Sequence, residues 1–415
     1  EKRIGFVASY YYNILKIGVK MPQNQNNDNI ELTDEQVLSM AKETLTQHFN
    51  LLVDGYKFTT EDIWNVVVSA SVQRQAIEST TKQFKNAPDS TTVRFYLRNE
   101  LLKENTLKDL EVGCNQAMVA NLPPYIVGKS HKVAIDLTYI PYHGEAEKEE
   151  KEICRSKAKS GTTHFHCYAS AYVIKKNKRV SLAITYVQSD DTLTDVLERI
   201  FTYLRKLDVE IKTVYLDKQF YCVPVIGYFQ TQYPSLKAII PVIIQGKQGG
   251  SRALIKGKKS YRTVYTMRSS KYGEASFDVA VVRKYSKGRY NSHGVVWFAY
   301  VLLGNIQMPL HQIYQDYRLR FGIESTYRLM NQVRARTSSR SPSLRLLYVG
   351  IALSLVNIWV FLKWTYLGIP RRGGRDVHEQ LFPLNLFKHF LIEAIKRIYV
   401  SVKSVSITPI LTEEA

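Results

Sequence analysis

The sequence is poor in cysteine and has no dense cysteine framework. Its 415 residues include four cysteines, Cys114, Cys154, Cys167 and Cys222. No two of them have the CxxC spacing that is common in zinc sites. A reducing compartment is therefore the simpler interpretation, and we find no internal repeat that would indicate a repeat architecture.

Long hydrophobic runs are also scarce. The first twenty residues have no clear apolar core and no small-residue cleavage site, so we expect no signal peptide. One uncharged run of 17 residues, Leu346–Leu362, lies at the lower edge of the length that spans a bilayer. Because Gly350, Ser354 and Asn357 dilute this run, we expect a helix buried inside a large domain, and no membrane partner.

Acidic residues are outnumbered by basic ones. The chain has 57 Lys and Arg against 37 Asp and Glu, a formal net charge of +20, and the stretch from Gln245 to Gly273 has eight basic residues and no acidic one. Basic side chains interleave with aromatic ones, so nucleic acid fits as a polyanionic partner better than a membrane does. A solvated basic face is the alternative interpretation.

Two histidines and two cysteines are close enough in sequence to be considered as a zinc site. They are His164, His166 and Cys167, with Cys154 further back, and their spacing matches no common zinc pattern. Side chains alternate along this segment as they do in a strand. We therefore favour a structural strand here and keep the metal site as the alternative.

The N-terminal part of the chain has helical patterns. A polar segment, Met21–Asn29, is typical of a linker. Helices are predicted over 61–72 and 90–102, the second with Asp89 as its N-cap. This order resembles a helix-turn-helix, in which Arg94, Tyr96 and Arg98 are candidate DNA contacts. Any small helical bundle has a similar pattern.

From Lys132 onward the pattern changes to strands. Runs at 133–140, 164–174 and 180–187 predict a meander, and a helix over 193–204 follows with a capping box formed by Thr192 and Asp195. A fourth strand, ending at Asp217, must then lie parallel to the sheet, which predicts a mixed α/β fold. If that strand lies beside the first, Asp136 and Asp217 become neighbours.

One further segment combines side chains suited to phosphate and metal chemistry. Tyr317, Arg320 and Glu324 share one face of a predicted helix at roughly 100° per residue. Mg²⁺ takes few protein ligands, so three carboxylates are enough for a two-metal phosphodiester site. We predict that Asp136, Asp217 and Glu324 are its metal ligands, although a lone strand aspartate is often structural.

These residues give the sequence a resemblance to a known family. It resembles the DDE transposases of prokaryotic insertion sequences, specifically the subgroup with Tyr, two residues, Arg, three residues, Glu, six residues and Lys. Tyr317, Arg320 and Glu324 match this signature in type and spacing, whereas Asn331 stands where the lysine is expected. The resemblance covers roughly residues 130–365.

The resemblance implies an RNase H-like mixed-sheet core with a β-rich insertion, flanked by helical N- and C-terminal regions. The expected segments are a helical DNA-binding region at 1–125, the first part of the core at 126–244, a basic β-rich insertion at 245–306, the second part of the core at 307–365 and a C-terminal helical region at 366–415.

The resemblance also implies a function. Two Mg²⁺ ions, or Mn²⁺ in their place, would be cofactors for cleavage of transposon ends and for 3′-hydroxyl strand transfer into target DNA. The partners implied are double-stranded DNA, as terminal inverted repeats and as target, and a second copy of the chain in a homodimer on DNA. The implied location is a prokaryotic cytoplasm, at the nucleoid when DNA is bound.

Further DNA contacts follow from the same resemblance. Tyr317 and Arg320 would contact phosphates, and we expect Arg328 or Arg334 to supply the charge that Asn331 lacks, with Asn331 donating a hydrogen bond. Trp297 is the candidate for stacking on a flipped base, although a tryptophan in an apolar strand is usually part of a core.

Two other functions remain open from the sequence. One is a two-metal DNA nuclease without strand transfer. The other is a catalytically inactive, transposase-derived DNA-binding protein, which the missing lysine keeps in consideration.

Overall fold

The computed structural model describes residues 31–145, 151–175, 180–246, 250–287, 293–372 and 374–404. The expected linker Met21–Asn29 lies outside this described part. The strands are β1 (Lys129–Pro141), β2 (Cys154–Lys159), β3 (Thr162–Val173), β4 (Ser181–Val187), β5 (Val209–Leu216), β6 (Ala238–Pro241), β7 (Tyr261–Ser269), β8 (Gly273–Lys287), β9 (His293–Leu303), β10 (Gly368–Arg371) and β11 (Gly374–Val377). The helices are α1 (Asp34–His48), α2 (Thr60–Gln73), α3 (Ile77–Thr81), α4 (Ser90–Phe95, continuing as a π-helix over Tyr96–Leu102), α5 (Leu107–Val119), α6 (Leu193–Arg205), α7 (Val223–Gln232), α8 (Leu310–Leu319), α9 (Gly322–Gln332), α10 (Pro342–Tyr366) and α11 (Leu384–Ile398).

The chain divides into two compact units. Within the described part of the chain, the sheet unit consists of residues 121–329, and the helical unit consists of residues 31–120 together with 330–404. These boundaries differ from those expected from the sequence. Residues 330–365, expected to belong to the core, group with the N-terminal and C-terminal helices instead.

The sheet unit has a mixed sheet flanked by helices, as the sequence predicts. Strand β3 pairs antiparallel with both β1 and β4, which gives the expected meander. Helix α6 then begins at the predicted capping box of Thr192 and Asp195. It returns the chain to β5, which is parallel to β1, and β6 is in turn parallel to β5. Strand β2, which the sequence pattern did not predict, pairs antiparallel with β3.

The β-rich insertion continues the same sheet. Strands β7, β8 and β9 are antiparallel neighbours, and β9 pairs antiparallel with β6. The strand order is β2-β3-β1-β5-β6-β9-β8-β7, with β4 also on β3. The insertion therefore adds three strands to the edge of the core sheet.

Strand register places the two aspartates on the same face. In the parallel pair of β1 and β5, Ile135 lies opposite Leu216, so the next residues along each strand are Asp136 and Asp217. Side chains alternate between faces along a strand. The two aspartates therefore face the same side as Ala134 and Tyr215, which belong to the buried cluster that also contains Ile313 of α8 and Ile323 of α9.

The helical unit is built around α10. This helix begins at Ser341, whose hydroxyl accepts from Leu344 N at 3.2 Å, with Pro342 in the first turn. By length and composition α10 could cross a membrane, but its apolar window is 94% buried within the structure, as the sequence analysis expects. It packs tightly against α5 at Gly350, where an added Cβ would lie 2.2 Å from Cys114 Sγ.

The C-terminal helix α11 packs within the same unit. Its apolar residues Phe387, Leu391 and Ile395 are buried, and Arg397 forms an ion pair with Asp34 of α1. At the end of α11, Tyr399 Oη donates to Asp62 Oδ1 of α2 at 2.5 Å. The apolar face of the last helix is therefore covered by the N-terminal helices.

Candidate functional site

The guanidinium of Arg320 bridges the two strand aspartates. Its Nη1 lies 3.2 Å from Asp136 Oδ2, and its Nη2 lies 3.1 Å from Asp217 Oδ1. The Arg320 side chain is 5% exposed, against 14% for Asp136 and 21% for Asp217. The arginine thus lies beneath the carboxylates, and the prediction that Asp136 and Asp217 are neighbours is confirmed.

Arg320 is held by aromatic side chains and by its own backbone. Its guanidinium lies 5.3 Å from the ring centre of Tyr317 and 5.2 Å from that of Phe321, distances at which a cation is attracted to an aromatic face. Tyr172 Oη of β3 donates to the Arg320 carbonyl at 2.7 Å. These contacts fix the arginine in the position from which it reaches both aspartates.

The helix that was predicted to carry Tyr317, Arg320 and Glu324 is interrupted. Helix α8 ends at Leu319 and α9 begins at Gly322, so the prediction that the three side chains share one helical face is wrong. The turn at Arg320 and Phe321 directs Arg320 inward, whereas Glu324 on α9 is exposed. Arg320 can be nearly fully buried because its positive charge is balanced by two carboxylates that lie closer to the surface.

Tyr317 also lies in the interior. It is 5% exposed, and its hydroxyl donates to the carbonyl of Leu216, the last residue of β5, at 3.1 Å. Burial raises the pKa of its phenol above the ordinary value. This tyrosine therefore joins α8 to the strand end that precedes Asp217.

Tyr327 joins α9 to the strand that carries Asp136. Its hydroxyl donates to the Asp136 backbone carbonyl at 3.0 Å and lies 2.9 Å from Ser170 Oγ. Tyr327 is one helical turn beyond Glu324, so the helix that carries the glutamate is held directly against β1. Tyr327 was not predicted from the sequence, although its spacing of three residues from Glu324 is a usable signal.

The third predicted carboxylate does not join the other two. No group of three His, Cys, Asp or Glu side chains in the described part of the chain is disposed to hold a metal ion. This finding includes Asp136, Asp217 and Glu324, and it corrects the expected convergence of three acids. The structure brings together two carboxylates and one guanidinium.

The electrostatics of the pair are dominated by burial. Burial raises the pKa of Asp136 to about 6, the charge of Arg320 opposes this rise, and the charge of Asp217 adds to it. One oxygen of Asp136, Oδ1, also accepts from Leu137 N at 2.9 Å. A second cation near Asp136 would stabilise its ionised form further.

The positions and the chemistry of Asp136 and Asp217 are suitable for binding a divalent cation. Glu324, the third predicted ligand, does not join them in this structure. Two carboxylates from adjacent parallel strands already share one cationic group, and both are more exposed than that group. Mg²⁺ prefers carboxylate oxygens and retains several waters. Asp136 and Asp217 would therefore hold the ion on their exposed side, and Glu324 would have to reach it by a change in its side-chain conformation.

The remaining predicted DNA contacts of the sheet unit are at its surface. Arg328 is exposed, and its Nη2 donates to Ser325 Oγ at 3.2 Å. Trp297 on β9 is half-buried, with the guanidinium of Arg283 lying 5.9 Å from its ring centre. It is therefore not a core tryptophan, and its stacking role stays a prediction.

The other predicted contacts belong to the helical unit. Asn331 and Arg334 are half-buried, and Arg94 and Arg98 are exposed. Tyr96, expected to contact DNA from the same segment as Arg94 and Arg98, is buried.

A buried acid beside the site also escaped the sequence analysis. Asp316 of α8 is 3% exposed, and its carboxylate accepts from Lys132 Nζ at 2.6 Å and from Gln312 Nε2 at 2.7 Å. Tyr215 Oη donates to the same carboxylate at 3.3 Å. This cluster ties α8 to β1 and β5 on the face that carries the aspartates, and no local sequence pattern indicates a pairing of residues 132 and 316.

The histidine and cysteine segment is a strand, as favoured above. His166 is buried in β3 and its Nδ1 is hydrogen-bonded to Tyr186 Oη. Cys154 Sγ contacts the Val187 carbonyl at 3.3 Å. Among the described residues these side chains form no metal-binding group.

Comparisons with known proteins assign no family to this chain. No protein-family model matches it, and no curated protein matches it. Among solved structures it is similar to a piggyBac transposase synaptic complex with hairpin DNA, at 11% identity and a TM-score of 0.47, covering 94% of this chain and 76% of that one. It is also similar to Marinitoga piezophila Argonaute in complex with guide RNA and target DNA, at 12% identity and a TM-score of 0.21, covering 52% of this chain and 28% of that one. Both scores are low, and neither likeness assigns an activity.

Proposed function

We propose that this chain is a metal-dependent DNA transposase of the DDE class, which cleaves the ends of an element and joins the freed 3′-hydroxyl to target DNA. The observation that carries the proposal is the convergence of Asp136 and Asp217 on one cationic group, at 3.2 and 3.1 Å. The net charge of +20 supports a DNA substrate.

Each residue of the site has a proposed task. Asp136 and Asp217 bind two Mg²⁺ ions, or Mn²⁺, and Glu324 completes the ligand set from α9. When bound, such ions activate the attacking oxygen and stabilise the leaving one. Arg320 holds the two carboxylates in register from beneath, and Tyr327 and Tyr317 hold the helices that carry Glu324 and Arg320 against the strand ends.

Partners follow from the same proposal. Two element ends require two active sites, so a homodimer on terminal inverted repeats is proposed. Inverted repeats in the genomic DNA that brackets the gene would provide the cognate substrate. Arg328, Trp297, Asn331 and Arg334 are proposed contacts to this DNA.

The experiment is a nicking assay on a labelled duplex that carries the cognate end, with Mg²⁺ or EDTA. Asp136→Asn and Glu324→Gln are each expected to abolish metal-dependent nicking while DNA binding persists. The matched control is Asp278→Asn, which removes an exposed carboxylate from β8 and is expected to leave nicking unchanged. Nicking by both site variants at the wild-type rate would contradict the proposal.

Two alternatives have their own signatures in the same assay. A nuclease without strand transfer would nick the end but would not join a pre-cleaved end to a plasmid. A catalytically inactive DNA-binding protein is favoured by the separation of Glu324 from the aspartates and by Asn331 in place of lysine. It would bind the cognate end and show no nicking with Mg²⁺ or Mn²⁺.

A further inference from the structure

A cationic cavity of about 170 Å³ lies in the helical unit. It is formed by the start of α3, the α4 helix with its π-helical continuation, the loop before α10 and the first turns of α10. Three arginines contribute to its lining: Arg94, Arg98 and Arg336. All three arginines are exposed, so their guanidinium groups are available to a ligand from solvent.

Charge in this cavity is strongly unbalanced. Glu78 is the one acidic residue of its lining. Its carboxylate forms ion pairs with two basic residues, because Oε1 lies 2.9 Å from Lys82 Nζ and Oε2 lies 3.5 Å from Arg94 Nη2. Neither Arg98 nor Arg336 forms an ion pair with a described carboxylate. The three arginines therefore exceed the acid by two charges before Lys82 is counted.

Hydroxyl groups also line the cavity. They come from the loop before α10, where Thr337, Ser338 and Ser339 are consecutive. The loop is fixed at both ends, because Arg336 N donates to the Gln75 carbonyl at 3.0 Å and Arg345 Nε donates to the Ser339 carbonyl at 2.7 Å. Guanidinium forks together with hydroxyl donors are a typical composition for recognising phosphate oxygens.

The floor of the cavity adds a buried phenol. Tyr348 of α10 is 3% exposed and lines the cavity. Burial raises the pKa of its hydroxyl, while the charges of Arg94 and Arg98 act in the opposite direction. The hydroxyl is therefore neutral, and it lies within electrostatic reach of both arginines.

We propose that this cavity, called here the arginine pocket, binds a backbone phosphate of double-stranded DNA through Arg94, Arg98 and Arg336. The proposal rests on the proposed function only in taking DNA as the partner. Arg94 and Arg98 would then contact the DNA backbone and would not read bases as recognition-helix residues do. A concave pocket of guanidinium and hydroxyl groups suits a phosphate, whereas base edges are read by side chains that project into a groove.

The size of the pocket favours a phosphate group over a whole small molecule. Pockets for drug-sized ligands span roughly 300–1,000 Å³, and this one is smaller at about 170 Å³. A phosphodiester group would enter it while the rest of the duplex stays outside. Glu78 limits the affinity of the pocket, because an incoming phosphate competes with its carboxylate for Arg94.

The experiment measures DNA binding by the full chain in EDTA, so that nicking cannot contribute. Binding of a short labelled duplex is followed by fluorescence anisotropy across a series of salt concentrations. We expect Arg98→Gln and Arg336→Gln each to weaken binding about tenfold at low salt. Each should also reduce the slope of log K against log salt by about 1, the effect of losing one phosphate contact.

Two variants make the expected pattern specific. Glu78→Gln is expected to strengthen binding about threefold, because it removes the competing anion. Arg98→Lys keeps the charge and loses the fork, so it should weaken binding while the salt slope stays at the wild-type value. The control is Lys108→Gln, which removes an exposed positive charge from α5 and should change neither quantity beyond experimental error.

The outcomes separate this proposal from the proposed function. If Arg98→Gln and Arg336→Gln bind DNA as Lys108→Gln does, the arginine pocket is not a DNA contact, whatever the nicking assay shows. Inorganic phosphate is tested as a competitor against chloride at equal ionic strength, and we expect it to displace more DNA than chloride does from the wild type but not from Arg98→Gln, because the free anion binds the same guanidinium groups. Binding of inorganic phosphate to the full chain is measured by calorimetry. If phosphate binds but Arg98→Gln and Arg336→Gln leave the DNA affinity unchanged, the pocket binds a free anion and the proposal is overturned.

Discussion

Arg320 Nη1 lies 3.2 Å from Asp136 Oδ2, on the buried side of that carboxylate. The same guanidinium reaches Asp217, so a single positive charge is shared by two negative ones. The site is therefore one positive charge short of neutrality, and its open side faces solvent. This arrangement sets the first two predictions.

Replacing Arg320 should expose the mutual repulsion of the two aspartates. In EDTA we expect Arg320→Gln to lower the free energy of unfolding by about 3 kcal/mol, because it leaves buried charges without their partner. Mg²⁺ should restore part of this loss and should stabilise the variant more than the wild type. Urea unfolding with EDTA and with Mg²⁺ measures both effects.

The control for Arg320→Gln is Arg318→Gln, which removes a neighbouring arginine that is exposed. Its effect should stay within about 0.5 kcal/mol. Equal stability of the two variants, or equal responses to Mg²⁺, would show that Arg320 does not neutralise a cation-binding pair.

Asp136 should make stability depend on pH. Its folded pKa is about 6, above the unfolded value of about 3.9. The protonated carboxyl therefore stabilises the fold fully below pH ~4, and this contribution is lost as the pH rises through ~6. Asp136→Asn should match the wild type near pH ~4 and exceed it by about 2–3 kcal/mol above pH ~7.

Urea unfolding in EDTA across this pH range measures the difference between Asp136→Asn and the wild type. Asp278→Asn should show no such pH-dependent difference. A destabilised Asp136→Asn at neutral pH would mean that the ion pair with Arg320 outweighs the burial of the carboxylate.

Tyr327 should matter for both stability and activity. Tyr327→Phe removes the hydroxyl that donates to the Asp136 carbonyl and lies beside Ser170. We expect a loss of about 1–2 kcal/mol, since a hydrogen bond between α9 and β1 is lost. Because α9 also carries Glu324, nicking should fall about tenfold without a change in DNA affinity.

The comparison for Tyr327→Phe is Tyr314→Phe. The Tyr314 hydroxyl has no hydrogen-bond partner among the described residues, so this variant should retain stability and nicking. If Tyr327→Phe lost stability and kept full nicking, its contact with β1 would have no part in positioning Glu324.

Gly350 tests the packing of α10 in the helical unit. An added Cβ would lie 2.2 Å from Cys114 Sγ, so Gly350→Ala should cost about 1–3 kcal/mol through overpacking of a core contact. Gly227, inside α7, has open space around an added Cβ. Gly227→Ala should stabilise by about 0.5–1 kcal/mol, because alanine favours the helix. Thermal unfolding of the two variants should therefore shift in opposite directions.

The sequence predicts the core of the sheet well because local patterns determine it. Runs rich in β-branched and aromatic residues, joined by polar turns, mark β1, β3 and β4, and the capping box marks the start of α6. The right-handed crossover then requires β5 to be parallel to a meander strand, so Asp136 and Asp217 become neighbours. Each of these inferences uses residues that are close in sequence.

The missed features depend on contacts between distant residues. Helical spacing treats 317–324 as one helix. It cannot show that Arg320, at the end of α8, contacts two half-buried carboxylates that are distant in sequence. Pairing of β9 with β6 joins the insertion to the core sheet, and periodicity carries no information on partners. Residues 330–365 join the helical unit because the apolar surface of α10 is covered there, for which the sequence offers no local signal.

The most direct test of the account is the anomalous scattering of crystals grown or soaked with Mn²⁺. We predict a peak on the exposed side of Asp136 and Asp217, at coordination distance from both carboxylates, with Glu324 moved into contact with the ion. Arg320 should remain beneath the two aspartates. A map without a peak at this position, with Arg320 still bridging Asp136 and Asp217 and Glu324 still in solvent, would contradict the account.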